Sequence, residues 1–99
     1  MLLIVGTVRL PPEQLQEARP VMQRMVAASR AEDGCEGYCF AEDIGDLGLI
    51  HVKEMWRDQA ALDLHCGSPH IAVWRASWQE LGIGERNLRV YEVAEPRQT

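Results

Sequence analysis

Residues 37–56, GYCFAEDIGDLGLIHVKEMW, read as two strands joined by a short turn. The segment Gly37–Glu42 is rich in aromatic side chains, and Leu49–Trp56 reads as a second extended segment. Between them Ile44-Gly45-Asp46-Leu47-Gly48 carries the glycines and aspartates that favour tight reversals, so the pair predicts an antiparallel hairpin. On either side of the hairpin lies a helical pattern, and beyond each helix an apolar strand.

Upstream, Glu13 to about Arg30 places Leu15, Ala18, Met22, Met25 and Val26 at intervals of three and four, the stripe of an amphipathic helix. The periodicity continues across Pro20, which predicts one helix with a kink where the bond to the Gln16 carbonyl is lost. Glu32-Asp33-Gly34 ends this helix, with Gly34 suited to a left-handed cap. The N-terminal run from Leu2 to Leu10 has apolar residues on both parities and is stopped by Pro11 and Pro12, which predicts a strand.

Downstream, Asp58 is a candidate N-cap for a short helix to about Cys66, which Gly67 can end. Ser68 caps again and Pro69 suits a first helical position, opening a further helical piece with Ile71, Trp74, Trp78 and Leu81 on its core face. Gly82 and Gly84 break it. Asn87–Val93 reads as a fourth strand, and residues 95–99 as a mobile tail. The order is β-α-β-β-α-β with the second helix broken, the ferredoxin-like α+β pattern with a four-stranded antiparallel sheet. Helices on one face leave the other exposed, with Leu3, Val5, Met55 and Tyr91 among its apolar residues. That predicts a homodimer whose sheets pack face to face.

The 99 residues suit one domain, residues 1–99. A net charge of −5 with dispersed basic residues argues against nucleic-acid partners, which need clustered Lys and Arg. The apolar N-terminus lacks a basic leader and is shorter than the roughly 20 residues of a membrane span, so no membrane association and a cytoplasmic location are expected. Cys35 and Cys39, if extended, stand about 13 Å apart at ~3.3 Å per residue, beyond disulfide reach. With Cys66 they read as packing residues or bystanders.

The chemistry concentrates in Glu54–His70, EMWRDQAALDLHCGSPH, where a strand end runs into a helix start. Glu54 and Trp56 share a strand face, being two apart. His65 lies at the edge of an apolar stripe facing the sheet, with Ala61 and Leu62 one turn before it, and an imidazole there suits a general base. A helix-terminal packing histidine is the plainer reading. His70 reads as a first-turn surface residue, and His51, on the opposite strand parity to Glu54, as part of the dimer face. Metal binding is not expected, since His65 and His70 are five apart across a helix break and no carboxylate completes the usual spacing. Nor is there a glycine-rich phosphate loop to seat a nucleotide cofactor.

The pieces EDGCEGY (Glu32–Tyr38) and EMWRDQAALDLHCGSPH resemble the antibiotic biosynthesis monooxygenase family, most closely its quinol monooxygenase-like members. The resemblance implies a dimeric α+β barrel with a pocket between sheet and helices for a small planar or aromatic substrate. It implies a monooxygenase that oxidises a hydroquinone or similar phenol with molecular oxygen and no metal or organic cofactor. His65 would be the base, Glu54 its orienting partner, and Trp56 a stacking wall, with Val52, Leu62 and Trp74 as further substrate-binding positions. The haem-degrading branch carries an Asn on the first strand, where this chain has Gly6, Thr7 and Val8. The polyketide-tailoring branch has an Asn four residues before the tryptophan and a Tyr six after it, here Val52 and Leu62. These departures leave a second reading, a non-oxygenase module that binds or isomerises a small molecule.

Overall fold

A computed structural model describes all 99 residues. The chain forms β1 (Leu2–Arg9), α1 (Leu15–Arg30), β2 (Cys35–Glu42), β3 (Leu49–Trp56), α2 (Gln59–Cys66), α3 (Pro69–Leu81) and β4 (Glu85–Glu92). The strands make one antiparallel sheet in the order β2-β3-β1-β4, so the outer strands are the second and last in sequence. This is the ferredoxin-like arrangement expected from the hairpin and its flanks.

Boundaries moved where local chemistry overrides periodicity. Pro12–Gln14 form a 3-10 turn, and α1 begins only at Leu15. The helix then runs through Pro20 as one element. Both Pro20 and Gln16 are exposed, so water can satisfy the Gln16 carbonyl that proline leaves without a donor. Gly34 is left-handed, at φ 86°, but it lies in the turn beyond the helix cap Ala31 instead of serving as the cap. β2 starts earlier than expected, at Cys35, with a register shift between Cys35 and Gly37 opposite Trp56 and Met55. β4 likewise begins at Glu85 and ends at Glu92.

All three helices pack on one face of the sheet. That face carries Leu2 and Val8 of β1, Tyr38 of β2, and Ile50, Val52, Glu54 and Trp56 of β3, all buried. α1 contributes Leu15, Ala18, Met22 and Met25, while α3 contributes Ile71, Trp74 and Leu81. Each large apolar side chain so buried contributes about 1.5–3 kcal/mol, and this layer sets the core. The opposite face pairs Leu3 with Met55 and Tyr91, and Val5 with Lys53 and Arg89, so its apolar residues are interrupted by charge. The three cysteines are free. No helix is long and apolar enough to cross a membrane.

Candidate functional site

Strand pleating puts Glu54 and Trp56 side by side on the helix-facing surface, both buried. The Trp56 indole N–H donates to Glu54 Oε1 at 2.9 Å. Two residues later Asp58 turns the chain into α2 by accepting the Ala61 N–H at 2.9 Å. Eight residues of helix then carry His65 back over the strand, its ring 4.5 Å from that of Trp56 and 5.5 Å from that of Tyr38.

His65 Nε2 faces Glu54 Oε1 at 3.9 Å, and its Nδ1 lies 2.6 Å from Glu32 Oε2. The same Glu32 oxygen lies 2.8 Å from His70 Nε2. Ser68 holds the break between α2 and α3: its hydroxyl donates to the His65 carbonyl at 2.6 Å, accepts the Ile71 N–H, and sits 3.2 Å from His70 Nε2. A row of polar groups therefore leads from the core outward, Glu54 to His65 to Glu32 to His70. Side-chain exposure is 7% at Glu54 and 3% at His65, and rises to 17% at Glu32 and 22% at His70.

Gly34 makes this row possible. A Cβ at Gly34 would come within 2.6 Å of the Ala61 Cβ, so the turn after α1 can lie against α2 only with glycine there. That contact brings Glu32, two residues earlier, onto His65. In the sequence Glu32 stands at a helix end and in the EDGCEGY piece, but nothing local ties it to its partners 33 and 38 positions away. The signal that could have found it is chemical: two histidines near one helix break, with no local carboxylate to orient them.

Burial pushes the Glu54 carboxyl above its ordinary value, against the opposing pulls of the Trp56 N–H, His65 and Arg86. The Tyr38 hydroxyl is pushed up by burial and then by the Glu54 charge, which keeps it neutral. Between the sheet and α3 lies a cavity of about 30 Å³. Glu54, Tyr38, Val52 and Trp74 line it, together with Trp78, Arg75 and Arg86. Of the expected substrate-binding positions, Val52 and Trp74 thus reach the cavity. Trp56 is wholly buried behind Glu54, and Leu62 packs against the core away from it. His65 lies behind Glu54 as seen from the cavity, and His51 is on the far face of the sheet, 2.7 Å from Asp43.

Folding also supplies what chain spacing lacked for a metal. Glu32, His65 and His70 offer ligand atoms that all lie within 4.8 Å of one another. Their contacts of 2.6 and 2.8 Å have hydrogen-bond lengths. Around a tetrahedral ion with bonds of roughly 2.0–2.1 Å, ligand atoms stand ~3.3 Å apart, so the trio would have to spread to admit one.

A ferredoxin-like sheet with a buried carboxylate–imidazole row beside a cavity lined with aromatic side chains defines a class of α+β fold. Comparison places the chain within it. The family model for antibiotic biosynthesis monooxygenase matches residues 1–77, and the chain belongs to that family. Rv0793 of Mycobacterium tuberculosis, whose name assigns it provisionally to the monooxygenases, is 39% identical over 70 residues, 71% of this chain and 68% of that one. Its solved structure superposes with a TM-score of 0.85 at 28% identity, covering 98% of each chain. A structure from Deinococcus radiodurans gives a TM-score of 0.91 at 24% identity, covering 100% of this chain and 98% of that one, a likeness of fold. The protein sll1783 of Synechocystis is 28% identical over 94 residues, 95% of this chain, which spans 64% of that protein's length.

Proposed function

We propose that the chain is a cofactor-independent monooxygenase that oxidises a hydroquinone or similar planar phenol with molecular oxygen. The observation that carries this reading is Glu54, a buried carboxylate with a raised pKa on the wall of an aromatic cavity and His65 directly behind it. Membership of a monooxygenase family supports the reaction class.

In this reading the two roles expected from sequence are exchanged. Glu54 is the group that meets the substrate, and His65 the one that receives charge behind it. A carboxylate whose pKa is raised by burial is a better base toward a phenol than a solvated one. Glu32, held at His65 Nδ1, favours the tautomer that leaves Nε2 free to accept a proton, and His70 gives Glu32 its route to solvent. The ionised phenol supplies electrons to oxygen. One oxygen atom enters the ring and the other leaves as water, so a hydroquinone and O2 give a hydroxyquinone and water. Apolar walls such as Val52 and Trp74 protect the intermediates from solvent.

The test is oxygen uptake with a panel of hydroquinones and product analysis under labelled oxygen. One labelled atom in the quinone is the expected result, and rates no higher than autoxidation overturn the proposal. A second reading, an isomerising or binding module, is favoured by the apolar Val52 where an oxygenating branch has Asn. Turnover that proceeds equally without oxygen would establish it instead.

The working form is a homodimer joined through the face bearing Leu3, Val5, Met55 and Tyr91. Tyr91 is 46% exposed in the single chain, and Met55, Leu3 and Tyr91 form ladder neighbours across β3, β1 and β4. Light scattering should give twice the mass of the chain, and Leu3→Glu should shift it to one. A mass of one chain for the unaltered protein at all concentrations refutes the dimer.

A further inference from the structure

The cavity between α3 and β4 carries more positive charge than its surroundings neutralise. Arg75 and Arg86 both line it, and neither forms an ion pair. The one carboxylate on its wall, Glu54, already accepts the Trp56 N–H. The Arg86 guanidinium lies instead over the Trp78 ring, 4.3 Å from its centroid. Burial, and after it the charge of Arg75, push the Arg86 pKa down, and the Glu54 charge offsets them only in part.

A second observation is independent of charge. Trp78 Nε1 is buried with no acceptor, on a residue that lines the same cavity. Native proteins rarely leave a buried donor unpaired, and a ligand is one way of completing it. The aromatic walls Tyr38 and Trp74 complete the surroundings.

We propose that this cavity is the subsite for a carboxylate on the substrate, which neutralises Arg75 and Arg86 and accepts the indole N–H of Trp78. About 30 Å³ holds one or two waters, the room of a carboxylate head group and not of a ring. Both arginines are exposed on their outer side, so their long side chains can swing onto an incoming anion and admit the ring without moving the backbone. Two guanidinium groups against one Glu54 leave one positive charge, which one carboxylate balances. The substrate class is thereby narrowed from planar phenols to phenolic acids, an inference that deepens the function proposed above and rests on it for the ring chemistry.

The experiment compares 2,5-dihydroxybenzoate with its neutral near-isostere 2,5-dihydroxybenzamide. Binding is followed without oxygen by calorimetry and tryptophan fluorescence, and oxygen uptake is measured separately. The acid should bind about tenfold tighter than the amide, the scale of one charge-assisted contact. The ratio of acid to amide affinity should fall to near one in Arg86→Gln and Arg75→Gln, and Arg86→Lys, which keeps the charge, should retain part of it. Equal affinity for acid and amide, or no binding of the acid at millimolar concentration, overturns the subsite. Arginine-dependent acid binding without oxygen uptake upholds the subsite and overturns the monooxygenase reading. Oxidation of both compounds with the same KM does the reverse.

Discussion

Two histidine–carboxylate pairs in this molecule have nearly the same length and opposite surroundings. His51 and Asp43 meet at 2.7 Å on the open face, with side chains 52% and 30% exposed. His65 and Glu32 meet at 2.6 Å under the helices, at 3% and 17%. Hydrogen-bond length therefore says little about role, and the dielectric around the pair says much. An exposed pair is worth roughly 0–1 kcal/mol and is screened by salt. A buried pair holds its charges at a lower effective dielectric, so each group is costly to leave alone and strongly felt by its neighbours.

The contrast is most exposed in turnover. His65→Ala should cut oxygen uptake on a hydroquinone by about 10²–10⁴-fold, the usual worth of a positioned proton-transfer group. His51→Ala should leave it unchanged. Equal losses in the two variants would mean that burial does not distinguish the pairs.

Stability gives the next largest difference. Glu32→Ala strips the partner from two imidazoles and should cost about 1–3 kcal/mol, the penalty of unpaired buried polar groups. Asp43→Ala removes an exposed partner and should cost less than about 1 kcal/mol. Thermal unfolding resolves this, since each kcal/mol moves Tm by roughly 4–8 °C in a domain of this size. A smaller loss for Glu32→Ala than for Asp43→Ala would reverse the ranking.

Glu54 predicts a pH effect of definite sign. Because its folded pKa lies above the ordinary 4.5, the folded chain retains a proton that the unfolded chain has already released. Its contribution to stability therefore falls as pH rises from near 4.5 through the folded value, and is level above that. Glu54→Gln keeps an acceptor for the Trp56 N–H without the buried charge. It should be at least as stable as the unaltered chain at neutral pH, lack this part of the pH dependence, and lose turnover. Lower stability of Glu54→Gln at pH 7 than at pH 4, relative to the unaltered chain, would contradict the burial argument.

The smallest expected effect is none. Dialysis against a chelator should leave turnover unchanged, because the Glu32, His65 and His70 contacts have hydrogen-bond lengths. Loss of activity restored by a divalent ion would show that the trio spreads to hold one.

Much of this was readable from local pattern. The hairpin, the caps Asp58 and Ser68, and the pairing of Glu54 with Trp56 depend on residues a few positions apart, where turn chemistry and strand pleating act directly. Even so, the start of α1 was misplaced, since its periodic stripe says nothing of the 3-10 turn that Pro12 opens. His70 was read as a surface residue because position in a first turn does not reveal what lies opposite. The part of Glu32 in the site carried no local signal, for it depends on the Gly34 turn lying against Ala61, 27 positions further along the chain.

Alternation, caps and breakers thus established the order of strands and helices, the face that is buried, and His65 and Glu54 as the groups worth testing. These follow from short-range sterics and from where apolar side chains must go. Folding alone brought Glu32 and His70 to His65, set Glu54 ahead of it at the cavity wall, and left Arg75, Arg86 and the Trp78 N–H around one space with Glu54 as its one carboxylate. Such meetings are fixed by how α2, α3 and β4 close over the sheet, a matter of packing between distant segments that no local spacing encodes.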